Sequence, residues 1–189
     1  FYFAKKLNRE QKNNYESDLV LGLNYLKNSK YDLAKEYFIK AKKNNSISVL
    51  NNYILDTLHL WSDLENSSLE EAKLKLNQLD NRFDNLKKIQ NIFLHCYFNS
   101  KYTNFLFNEL ISYEKIDFSR YNYFYARHLD NKGEKIEAKK IIKAALKKYP
   151  RNLILNQYQV NLDIQKNFSD FNCSKKVEIV AELLYIAAN

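Results

Sequence analysis

The sequence predicts an all-α chain made of consecutive helical hairpins, and three observations lead there. Only two glycines and one proline occur in 189 residues, which leaves little material for the tight turns between strands. Alternating apolar and polar runs of the β type are absent. Apolar residues instead follow helical three-and-four spacing, as at Leu33, Ala34, Tyr37, Phe38 and Ala41.

Residues 1–14 are expected to form a helical extension or the remnant of a preceding repeat, ahead of a repeat domain over 15–189. Asp18 to Lys27 reads as a first helix, with Leu19, Leu21, Leu23 and Leu26 among its apolar positions. The polar turn Asn28-Ser29-Lys30 follows, and Tyr31 to Lys43 reads as the second helix. Gly22 and Ala34 allow these two helices to cross closely, while Tyr25 and Phe38 fill the space beside them. A large side chain at either small position would force the pair apart, at roughly 1–3 kcal/mol.

Ser48 to Trp61 is a helix rich in Leu and Ile, Asn66-Ser67-Ser68 a turn, and Leu69 to Leu79 its partner. Ser68 followed by Glu71 has the form of a capping box. Leu86 to Tyr97 and Tyr102 to Tyr113 make the next pair, joined by Phe98-Asn99-Ser100-Lys101. The phrase Asn99-Ser100-Lys101-Tyr102 repeats Asn28-Ser29-Lys30-Tyr31. Ser119 to Asp130, the turn Asn131-Lys132-Gly133 and Glu134 to Lys148 follow, and Pro150 ends them. Leu153 to Gln165 and Lys175 to Ala188 form a last pair joined by Asn167 to Ser174. The five expected pairs cover about 15–48, 49–82, 83–118, 119–152 and 153–189. The 15 Tyr and 12 Phe suit the seams between stacked helices.

Two segments share one signature. Leu21-Gly22, Tyr25, Ala34, Phe38 and Ala41 are matched by Tyr125-Ala126, Leu129, Ala138, Ile142, Ala145 and then Pro150. Ala34 and Ala138 are separated by close to three periods of about 34 residues. This pattern resembles the tetratricopeptide repeat, which reads L-G-x2-Y, then A-x3-F, then P. Asp18 and Asn122 stand where that repeat usually carries Trp. The resemblance implies a right-handed α-solenoid of about five helix-turn-helix hairpins, whose first helices line a concave groove for a protein or peptide segment.

Carried over by register, that groove would be lined by Leu19, Leu23 and Lys27, by Gln90 and Leu94, and by Arg120, Tyr123 and Arg127. Leu19 and Leu23 occupy positions where the members that grip a peptide's C-terminal carboxylate carry polar residues, so that specialised function is not expected. They would equally suit packing against a neighbouring helix. The remaining lining is half apolar and half cationic, which fits an acidic or amphipathic guest.

The formal net charge is +8, which favours acidic partners and anionic surfaces. Lys132, Lys135, Lys139, Lys140, Lys143, Lys147, Lys148 and Arg151 form the densest basic stretch, diluted by Glu134 and Glu137. Lys135, Lys139, Lys143 and Lys147 are four apart and share one helix face, opposite Ala138, Ile142 and Ala145. The stripe reads first as a solvated face. The alternative is a nucleic-acid scaffold, whose binding would weaken steeply with salt.

Chemistry finds little support. His59, His95 and His128 lie on different helices, and neither His-x3-His nor Cys-x2-Cys occurs. His95 and Cys96 are adjacent, which on a helix points them in two directions. Cys96 and Cys173 are too few and too isolated for a disulfide framework or a zinc site, and read as small buried fillers. Gly22 and Gly133 cannot make a phosphate loop. The expectation is a non-enzymatic adaptor or scaffold with no cofactor and no metal, part of a larger complex; the scaffold or regulatory arm of a larger enzyme is a further alternative.

No apolar run approaches the ~20 residues that cross a bilayer, and Phe1-Tyr2-Phe3-Ala4-Lys5-Lys6 does not have the form of a signal peptide. A chain that opens on Phe and contains no Met is expected to be a mature form or an excised piece, and reads as soluble. Cytoplasm and periplasm both stay open.

Overall fold

The computed structural model describes residues 1–44, 48–164 and 171–188. Among these residues there is no strand, and the chain forms eleven α-helices and one 3₁₀ turn. In order they are α1 (Tyr2–Arg9), α2 (Tyr15–Lys27), α3 (Tyr31–Asn44), α4 (Val49–Ser62), α5 (Leu69–Asn77), the 3₁₀ turn Asn81–Phe83, and α6 (Asp84–Tyr97). They continue with α7 (Thr103–Ile111), α8 (Tyr121–Asn131), α9 (Lys135–Lys148), α10 (Leu153–Asp163) and α11 (Lys176–Ala187). None is long and apolar enough to cross a membrane.

The chain divides into two compact units, one of Phe1–Leu94 with Ile179–Asn189 and one of His95–Glu178. Within each, helices adjacent in sequence pack together, as expected of consecutive hairpins. The residues expected to form a fifth pair are divided, with α10 in the second unit and α11 from Ile179 onward in the first. Gln165, Asn167 and the part of their connection up to Asp170 lie outside the described residues.

In the first unit the expected extension folds as α1, which packs on α2. Helix starts are set by side chains that satisfy orphan backbone donors. Asn14 Oδ1 accepts from the Ser17 amide at 2.8 Å, and Ser48 Oγ accepts from the Asn51 amide at 3.2 Å. The capping box over α5 is present, with the Ser68 amide donating to Glu71 Oε2 at 2.7 Å. The α2–α3 crossing is as close as the small residues predict: a β-carbon on Gly22 would stand 2.5 Å from Phe38 Cε1. Asp63, capping the end of α4, binds Lys75 of α5 at 2.5 Å and Lys35 of α3 at 3.1 Å, tying three helices together.

Four helix ends close in the same way. Gln11, Ser29, Asn99 and Gly133 all have positive φ. In each case the following amide reaches back to a carbonyl five residues earlier: Lys12 to Leu7, Lys30 to Tyr25, Ser100 to His95 and Glu134 to Leu129, all within 2.8–2.9 Å. This is the Schellman closure, which satisfies carbonyls left over at a helix end. It also corrects the repeat register. Ser29 is structurally equivalent to Asn99, so the matching phrases at Asn28 and Asn99 are out of step by one residue.

In the second unit, α8 is the central helix. Eight of its residues, from Tyr121 to Leu129, are buried, so it packs on nearly all sides. Phe107 stacks on Tyr125 with ring centroids 5.2 Å apart, and Phe171 meets Phe124 edge-on at 4.5 Å. Ala138, Ile142 and Ala145 form the packed face of α9, as their spacing predicts.

Candidate functional site

The residues expected to line a groove divide by burial. Leu19, Leu23, Arg120 and Tyr123 are half-buried and Lys27 is exposed. Tyr123 packs edge-on against Tyr158 at 5.2 Å, and the Arg120 guanidinium lies 5.4 Å above the Phe124 ring. Gln90 and Leu94 are fully buried, and Arg127 is only 7 % exposed. These three are interior residues rather than groove contacts. Gln90 Oε1 accepts the Trp61 indole N–H at 2.7 Å. Arg127 Nη1 binds Asp130 Oδ2 at 2.9 Å, and the Tyr158 hydroxyl donates to the same oxygen at 3.0 Å. All three side chains are buried, so none is presented at the surface.

The lysines sit differently. Lys132, Lys135, Lys139, Lys140, Lys143 and Lys147 are all exposed. Between α9 and α10 runs an open groove of about 410 Å³, with Ile142 and Leu162 in its floor and Lys139, Lys140 and Lys143 along its rim. Ile136, also in its lining, is 74 % exposed. Lys139 pairs with Asp163 at 3.0 Å and Lys140 with Glu137 at 2.7 Å. Both pairs are solvated, so each holds its lysine weakly.

A second centre lies in the interior of the same unit. Cys96, at the end of α6, is disulfide-bonded to Cys173, in the segment before α11, with Cα atoms 5.8 Å apart. The two cysteines are buried as expected, but they are a bonded pair and not isolated fillers. His128 of α8 lies against them, its Nδ1 3.0 Å from Cys96 Sγ and 3.9 Å from Cys173 Sγ. On its other side, Nε2 stands 3.1 Å from Asn104 Oδ1 of α7. An amide oxygen only accepts, so the ring proton resides on Nε2 and the Nδ1 lone pair faces the sulfurs. Burial, reinforced by Lys132, pulls the His128 pKa down to about 4, which leaves the imidazole neutral near pH 7. His95, the chain neighbour of Cys96, turns away to Ser100 Oγ at 2.9 Å, as adjacency on a helix requires.

Sequence reasoning missed this centre because it sought ligands at short spacing. The available signal was the repeat itself. Cys96 and His128 are 32 residues apart, close to the separations of 29 for Trp61–Gln90 and 31 for Arg127–Tyr158. Each is a contact between first helices of successive expected pairs. Comparison of the chain with known protein families, with curated proteins and with solved structures gives no match.

Proposed function

We propose that this chain is a non-enzymatic helical-hairpin adaptor that holds an acidic, amphipathic protein segment. The observation that carries the reading is the groove between α9 and α10, with an apolar floor and three lysines on its rim. An amphipathic helix buries apolar residues in such a groove while its carboxylates meet the rim. The architecture proposed with it is the right-handed α-solenoid of helix-turn-helix hairpins implied by the tetratricopeptide-like signature. The shared closures at Ser29, Asn99 and Gly133 support that reading of the turns.

The test is fluorescence anisotropy with two labelled acidic peptides of equal composition, one amphipathic and one scrambled. The adaptor reading expects preference for the amphipathic peptide, persistence at about 200 mM salt, and roughly tenfold weaker binding for Ile136→Asp. Equal binding of both peptides would overturn it. A second reading, a nucleic-acid scaffold, is favoured by the exposure of Lys135, Lys139, Lys143 and Lys147 along one face. It expects RNA or DNA to bind at low salt, with affinity falling steeply as salt rises.

A further inference from the structure

The arrangement around His128 goes beyond adaptor function and is independent of it. Cys96 Sγ, Cys173 Sγ and a His128 ring nitrogen all lie within 4.8 Å of one another, and all three residues are buried. They come from three separate segments of one compact unit. In the disulfide, neither sulfur carries a proton for the Nδ1 lone pair that faces it. Asn104 nevertheless holds the ring in that orientation by accepting from Nε2. A ring nitrogen fixed toward two sulfurs by a hydrogen bond at the opposite nitrogen is the arrangement that orients a metal-ligating histidine.

We propose that the reduced chain binds one Zn²⁺ through the Cys96 and Cys173 thiolates and His128 Nδ1. The disulfide and the metal site are alternative states of the same three residues. An external dithiol delivers two electrons and two protons to the S–S bond, leaving two protein thiols and the reductant's own disulfide. Zn²⁺ then displaces both thiol protons to solvent and forms two Zn–S bonds and one Zn–N bond.

Charge selects the ion. Two thiolates and one Zn²⁺ sum to zero, which suits a buried site, whereas a monovalent soft cation would leave a net negative charge in the interior. Thiolate and imidazole donors suit zinc, and the usual fourth position falls to water.

The experiment uses the full chain, reduced with a phosphine that does not compete for zinc. The reduced and oxidised forms are titrated with Zn²⁺ against a chromophoric chelator, and with Co²⁺ followed by its thiolate charge-transfer and d–d bands. The expected result is one metal per reduced chain, none per oxidised chain, and a cobalt spectrum showing thiolate ligation. Asn104→Ala should weaken zinc about 10- to 100-fold by releasing the imidazole, and His128→Gln should remove stoichiometric binding. Far-UV circular dichroism of both variants establishes that they are folded. Absence of binding to the reduced wild-type chain would overturn the proposal. So would stoichiometric binding that survives His128→Gln, which would mean that the dithiol alone captures the metal.

Discussion

The Phe38 ring occupies the space into which a side chain on Gly22 would grow, with Cδ1 and Cε1 2.7 and 2.5 Å from the β-carbon position. Gly22→Ala gains up to about 1 kcal/mol of helix propensity, but it drives a methyl group into a ring that is 1 % exposed. Overpacking wins, and the expected outcome is a net loss of about 1–2 kcal/mol in urea unfolding. In a double-mutant cycle, Gly22→Ala should cost less in a Phe38→Leu background. Additive losses would show that the ring does not set the crossing distance.

Positive φ at the helix ends gives substitutions of opposite sign. Gly133 has φ +83 and open space around its α-carbon, so Gly133→Ala should cost about 1 kcal/mol through backbone strain alone. Ser29 adopts φ 56 with a side chain, and Ser29→Gly should stabilise by several tenths of a kcal/mol or more. Thermal melts of the two variants should shift in opposite directions.

Arg127→Ala should act on stability rather than on partner binding. Removing the guanidinium leaves Asp130 with only the Tyr158 hydroxyl among the contacts described above, in a site where the Arg127 and Asp130 side chains are 8 % and 17 % exposed. Loss of one partner of a buried pair costs about 3 kcal/mol. Denaturant unfolding reads this directly, and a stability unchanged within about 0.5 kcal/mol would contradict the interior assignment.

Asp63 predicts an acid-sensitive joint. The hydrogen bond from Lys75, helped by Lys35 and opposed by burial, holds its carboxyl below the ordinary value of 3.8. A depressed folded pKa means that the unfolded chain takes up the proton first. The stabilisation is therefore complete above the ordinary carboxylate value and is lost as pH falls through 3.8 and below. With the Asp63 side chain one-third exposed, its size is about 0.5–1 kcal/mol at neutral pH. Asp63→Asn should lower stability at pH 7 and flatten that part of the acid limb, measured by urea midpoints across pH.

Reduction of the disulfide should lower stability by about 2–4 kcal/mol in metal-free buffer, because the bond closes a loop spanning 77 residues. Unfolding curves with and without a phosphine reductant measure it. Coincident curves would mean that the link constrains little of the unfolded chain.

What the sequence determined by itself is local. Helical spacing, the Ser68–Glu71 cap, the small residues at the α2–α3 crossing and the packed face of α9 depend on neighbours within one or two turns or one hairpin. Such neighbours can be read from spacing. Even the one-residue error between the Asn28 and Asn99 phrases is instructive. A polar phrase constrains a turn loosely, while the left-handed residue is chosen by where the helix before it stops. The tertiary structure decided what depends on distant segments: the bond between Cys96 and Cys173, the aim of His128 at both sulfurs, and the division of the last expected pair between two units. Burial of Gln90, Leu94 and Arg127 belongs with these. Helical register gives each a face, but whether that face meets solvent or another helix is settled by distant segments, as Trp61 does for Gln90 and Tyr158 for Arg127, and no local pattern encodes that packing.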